Sequence, residues 1–211
     1  MNMNLISSPL ILLPVRSGKE QEWGEIRENF AGSKLLEMGQ SWLPEKEPGL
    51  RQGEVRAGIC GDALAIYAEL SDDDIYNDSV SLNEKTWETG DAFEMFLKSE
   101  ALPEYYEFHV TPGNQKLQLR IPSEEAFRQR PPWGTHCLEG DLFFSKTKVN
   151  EGQWLVYAEI PLHFFPEGPW RFSFCRYDRT RGIKRPVLSS TSPYVRCDFH
   201  RVQDWGLMKK A

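Results

Sequence analysis

Glu94, Glu107 and His109 fall within the segment 87–112, WETGDAFEMFLKSEALPEYYEFHVTP. Paired carboxyl groups can act as acid and base in glycoside hydrolysis when they stand roughly 5 to 9 Å apart. Their plainer use is hydrogen bonding or salt bridging on a sheet face. An imidazole nearby adds a donor or an acceptor. Trp87 precedes them in WETGD. A tryptophan on a turn beside a polar sheet face is either a core plug or a platform for the C–H face of a sugar ring.

A hairpin must position these groups. Phe93, Met95 and Leu97 alternate with Glu94, Phe96 and Lys98, and Tyr106, Phe108 and Val110 alternate with Tyr105, Glu107 and His109. Period-two alternation marks half-buried antiparallel strands. A turn through SEALPE pairs Lys98 with Tyr105, Leu97 with Tyr106, Met95 with Phe108, Glu94 with His109 and Phe93 with Val110. A slip of one residue would turn every apolar side chain to the wrong face.

Further strands are expected over 54–60, 63–70, 92–98, 105–111, 116–121, 142–149, 154–160, 170–177 and 187–190. Gly, Pro, Asp or Asn punctuates nearly every gap, and no long helix intervenes. That pattern indicates a β-sandwich or barrel. Ser17 with Glu20 reads as a capping box, and Trp23, Ile26 and Phe30 follow at helix-like spacing, so a short helix is expected within 17–30. Residues 41–53 and 123–140 read as loops, and 161–165 as one helical turn.

The chain has 211 residues, ample for one β domain with a sizeable core. Its net charge of −6 and pI near 5.4 argue against nucleic acid as a partner. The basic run 176–185, RYDRTRGIKR, reads as a charged loop. No stretch approaches the roughly 20 apolar residues of a membrane span, so no membrane partner is expected. The apolar run 9–15 is short, carries two prolines and has no Lys or Arg before it. It does not read as a signal peptide, which places the chain as written in the cytoplasm, or outside it if a signal sequence has been removed. Cysteines 60, 137, 175 and 197 form no CxxC pair, so a zinc site of that type is not expected. The four histidines share no metal spacing, and neither HExxH nor GxSxG occurs.

Asp72, Asp73, Asp74 and Asp78 follow the strand ending at residue 70. Clustered hard oxygen ligands can hold Ca2+, and the alternative is a solvated turn.

In order along the chain stand DDDI, TWETGDAFEMFL, YYEFHVTP, WLVYAEIPL, WRFSFCRYD, SSTSPY and DFHRVQDWGLM. The series resembles the carbohydrate-binding module family 9 domains over residues 50–209. The resemblance implies an all-β fold, an antiparallel β-sandwich of jelly-roll type over 50–211, with 1–49 as an N-terminal segment packed on it. It implies non-catalytic binding of a mono- or oligosaccharide, at glucan- or xylan-type chain ends, clamped between two aromatic rings, with structural calcium. Trp87 matches the first ring and Glu94 a hydroxyl acceptor. His109 stands where some members have an arginine donor. Arg176, or its neighbour Cys175, sits near a polar ligand position. Phe199 aligns best with the second ring, and Tyr194 is the other choice. Two departures stand out: one extra residue between Trp87 and Asp91, and replacement of the second tryptophan. Two other readings follow from the same residues. One is a haem-binding sandwich of the DOMON type with axial ligands among His109, His163, Met95 and Met208. The other is a glycoside-active enzyme using Glu94 and Glu107.

Overall fold

Strands that are apolar on one face must bury that face against a second layer. This chain does so with two sheets. The computed structural model describes residues 8–166 and 168–211. The elements are β1 (Leu10–Pro14), α1 (Trp23–Asn29), β2 (Leu36–Glu37), β3 (Gly53–Cys60), β4 (Ala63–Ser71), α2 (Thr86–Thr89), β5 (Ala92–Ser99), β6 (Tyr105–Val110), β7 (Lys116–Ile121), α3 (Glu124–Arg128), β8 (Phe144–Asn150), β9 (Gln153–Pro161), β10 (Trp170–Asp178), β11 (Val187–Ser190) and β12 (Gly206–Lys210). A single 3₁₀ turn, Leu162–Phe164, falls where the helical turn was expected.

One sheet runs β7–β6–β5–β10, with β11 and β12 following each other along the far edge of β10. The other runs β3–β4–β9–β8, with β2 on the edge of β3. β1 joins them. Leu10–Leu12 pair in parallel with β12, and Leu13 and Pro14 pair in parallel with β3. The remaining described ladders are antiparallel. The apolar run too short to span a membrane is thus the strand that links the two sheets. Within the N-terminal segment, Leu10–Pro14 thus take part in the ladders of the sandwich.

Phe93, Met95, Leu97, Phe108 and Phe174 of the first sheet pack in one cluster with Ile66, Ala68, Val156 and Ala158 of the second. Behind the second sheet, α1 lays Ile26 and Phe30 over Ala65, Tyr67 and Tyr157. Phe30 stacks on Tyr67 with ring centroids 5.9 Å apart. The capping box of α1 is Glu22 with Glu25, not Ser17 with Glu20. Ser17 instead donates its hydroxyl to Glu159 at 2.5 Å. A pairing across to β9 outcompetes the local cap, so the helix starts later.

Phe174 is fully buried and contacts Phe93 and Phe172. Truncating it removes a ring and leaves a cavity between the sheets. Phe174→Ala is expected to lower the unfolding free energy by about 3–5 kcal/mol in urea titrations. A loss below about 1 kcal/mol would show that this ring does not bind the layers together.

Candidate functional site

The hairpin register is the expected one: Phe93 pairs with Val110, Glu94 with His109, Met95 with Phe108 and Leu97 with Tyr106. Phe93, Met95 and Leu97 therefore point into the core. Glu94, Phe96, Tyr105, Glu107 and His109 point the other way. That second face is not bare. The C-terminal segment lays Tyr194, Phe199, Val202 and Trp205 over part of it, and Phe127 of α3 approaches from the side. Between them remains a cleft of about 830 Å³, lined in part by Trp87, Glu94, Phe96, Glu107, Trp133 and Phe199.

The floor of the cleft holds a buried acid–imidazole group. His109 Nε2 lies 2.8 Å from Glu107 Oε1 and 3.3 Å from Glu94 Oε1. Its Nδ1 lies 2.7 Å from the hydroxyl of Thr86, at the start of α2. Glu94 and Glu107 are diagonal neighbours, because Glu107 pairs with Phe96. Burial pushes the Glu94 carboxyl up to about 8, with the charge of Glu107 adding to the rise. Burial also acts to raise Glu107, but His200 and His109 outweigh it and hold that carboxyl below its ordinary value. Burial acts to lower His109, and the two carboxylates outweigh it in turn. Glu94 is therefore the carboxyl that keeps its proton near pH 7, and Glu107, held low, is the one that ionises first. The floor offers both a donor and an acceptor.

The aromatic walls are less regular. Trp87 is half-buried in α2 and meets His109 edge-on, with centroids 5.8 Å apart. Gly90 sets its place. A Cβ there would lie 2.5 Å from Asn77 Cα, so only glycine lets the chain turn this closely from α2 into β5. Tyr194 is 1% exposed and donates its hydroxyl to the carbonyl of Phe199 at 2.9 Å. It is a core side chain, and the expectation of a sugar-stacking role for it is corrected. Phe199 does reach the cleft, but it is caged by Trp42, Phe96, Tyr177 and Tyr194. The exposed aromatic is Trp133, 46% accessible, on the loop between α3 and β8. It meets Trp87 at 5.4 Å and 68°, forming an angled corner rather than a parallel clamp. Sequence reading missed it because a loop has no periodicity. The signal available was an isolated tryptophan in a long Pro-rich loop.

Arg176 is not in the cleft. It pairs with Phe93, so it faces away from Glu94, while Cys175 pairs with Glu94 and shares its face. Arg176 donates to Asp72 at 2.8 Å, approaches Asp178 at 3.0 Å and donates to the carbonyl of Ser71. The acidic run separates accordingly. Asp73 pairs with Arg51, Asp74 with Arg181, and Asp78 is exposed. The buried carboxyl cluster is Asp72, Asp91 and Asp178. A guanidinium that does not deprotonate already supplies the positive charge there. The residues present do not fit the calcium site expected from Asp72, Asp73, Asp74 and Asp78.

The haem reading fails on geometry. Met95 and Met208 lie in the core between the sheets, His163 is exposed and His109 is locked on the opposite face. They do not converge on a haem. Glu94 and Glu107 each offer an oxygen within 4.8 Å of the other and share one imidazole. The four cysteines are free, with Cys175 buried and Cys197 exposed at the cleft. No helix of the described residues is long and apolar enough to cross a membrane.

The sequence matches no protein-family model and no curated protein. The architecture does match solved structures. A candidate carbohydrate-binding protein from Bacteroides uniformis superposes with a TM-score of 0.70, at 14% identity, over 96% of this chain and 99% of that one. A family 9 carbohydrate-binding module from Caldicellulosiruptor kristjanssonii, in complex with cellotriose, superposes at 0.62 with 16% identity, over 94% and 92% of the two chains. The same module with glucose gives 0.62 and 16%, over 94% and 95%. The chain has the fold of a family 9 carbohydrate-binding module. Within that family 9 fold, the cleft lies on the sheet face that carries Glu94, Glu107 and His109.

The Arg176 cluster gives a direct test. Arg176→Met leaves Asp72 and Asp178 buried without their cation, and is expected to cost about 3–5 kcal/mol. Burial holds Asp178 up at about 6 and Asp91 up at about 8, against an ordinary 3.8. Raised acids favour the folded state while protonated, so their contribution is present below the ordinary value and is lost as pH rises through the folded values. The deficit of the variant, read from urea melts, is therefore larger at about pH 8 than at about pH 5. An equal deficit at both would contradict the assignment.

Proposed function

We propose that the cleft binds a mono- or oligosaccharide of the glucan or xylan type without chemically altering it. The observation that carries this reading is the half-buried Trp87 standing over a floor that offers both a carboxyl donor and a carboxylate acceptor. Sugar hydroxyls both donate and accept, and their ring faces are apolar. A site for them needs an aromatic surface beside mixed polar groups. Glu94 donates to one hydroxyl, Glu107 accepts from another, and Trp87 covers the ring. Trp133 takes the place expected of Tyr194, closing one corner of the cleft, while Phe199 contributes an edge. The fold likeness to modules holding cellotriose and glucose supports this reading.

Isothermal titration against glucose, cellobiose, cellotriose and xylo-oligosaccharides tests it. Trp87→Ala and Trp133→Ala are each expected to weaken binding at least about tenfold, or about 1.4 kcal/mol. Trp23→Ala, at the start of the helix behind the other sheet, should change nothing. Silence across the sugars, or wild-type affinity after loss of Trp87, would reject the reading.

A further inference from the structure

We propose that Glu94, Glu107 and His109 form a binding site for one divalent first-row transition-metal ion of the zinc class, on the floor of the cleft. The three side chains come from neighbouring positions on β5 and β6, and one donor atom from each lies within 4.8 Å of the other two. Donors bound to such an ion at about 2.0–2.2 Å stand roughly 3 to 3.5 Å from one another. The Nε2 of His109 lies 2.8 and 3.3 Å from its two carboxylate neighbours. The ligand cage therefore needs only small adjustments. One imidazole and two carboxylates make a mixed set that zinc accepts.

Two further observations point the same way. Glu107 Oε2 is buried and has no hydrogen-bond partner, with the imidazole Nε2 of His200 standing off at 3.8 Å. A buried carboxylate oxygen left without a partner is costly, and a metal ion would satisfy it. Thr86 holds Nδ1 at 2.7 Å, which turns Nε2 toward the carboxylates, the orienting contact that metal-bound histidines ordinarily have. The contrast with the Arg176 cluster is chemical. A guanidinium keeps its protons, whereas an imidazole can release one. On binding, the protons held at Nε2 and on the Glu94 carboxyl pass to solvent, the nitrogen lone pair goes to the ion, and the two carboxylates then balance the dication. Glu94 and Glu107 line the cleft, which provides the entry path.

The test uses the full chain, stripped of metal by chelator dialysis, with zinc or cobalt(II) and no sugar. Its result is therefore independent of the carbohydrate reading. Calorimetry is expected to give one ion per chain. Cobalt should give visible bands without the thiolate charge-transfer band that ligation by Cys197, in the same cleft, would add. His109→Gln and Glu107→Gln should each weaken binding at least about tenfold, comparable with losses at other metal sites. Cys197→Ser should leave binding unchanged. Where a variant does not fold, the imidazole nitrogen resonances of the wild-type protein decide, since zinc should shift those of His109. Absence of one-to-one binding, a thiolate band, or undiminished affinity in a folded His109→Gln protein would each overturn the proposal.

Discussion

An imidazole shared by two buried carboxyl groups is the constraint that the rest of this molecule is built around. Charged side chains are seldom buried unless they are paired, and an uncompensated one costs several kcal/mol. The β5–β6 register is what places Glu94 across from His109 and within reach of Glu107. Moving either strand by one residue would drive these groups into the apolar interior and bring Phe93, Met95 and Phe108 out. Core packing and site chemistry are therefore set by the same ladder.

The two faces of the first sheet carry parallel solutions to one electrostatic problem. Toward the second sheet, near its edge, Arg176 supplies a permanent positive charge between Asp72 and Asp178. Toward the cleft, Glu107 is paired with His109, whose imidazole can give up a proton, and Glu94 stands beside them. The first arrangement is a fixed structural rivet. The second leaves groups whose protonation and partners can respond to what enters the cleft. The aromatic cover follows this division: Tyr194, Phe199 and Trp205 seal part of the face, while Trp87 and Trp133 border the opening.

Much of the fold was legible in the sequence because period two and one-sided burial coincide. The strands from β3 to β11 follow the apolar alternation closely. β2 has only two residues, β12 buries only Met208, and β1 ends on a proline and pairs in parallel with two different strands, so none shows the alternation. The site was legible only where local sequence decides it. Glu94, Glu107 and His109 fall together because one hairpin carries them. Arg176 did not, because a one-residue uncertainty in β10 decides which face it takes, and its neighbour Cys175 took the cleft side. The buried acid cluster unites Asp72, Asp91 and Asp178 from distant segments, which no local spacing reveals. Trp133 lies in a loop, where tertiary packing alone determines its exposure.

The central claim is that the cleft face of the β5–β6 hairpin is where this protein meets its ligand. The most direct measurement is an NMR titration of the indole N–H signals with a cello-oligosaccharide. The account predicts that Trp87 and Trp133 shift together and saturably, while Trp154 and Trp170, buried between the sheets, stay fixed. Shifts at Trp23 with Trp87 and Trp133 unmoved would place the ligand on the other side of the sandwich and contradict the account.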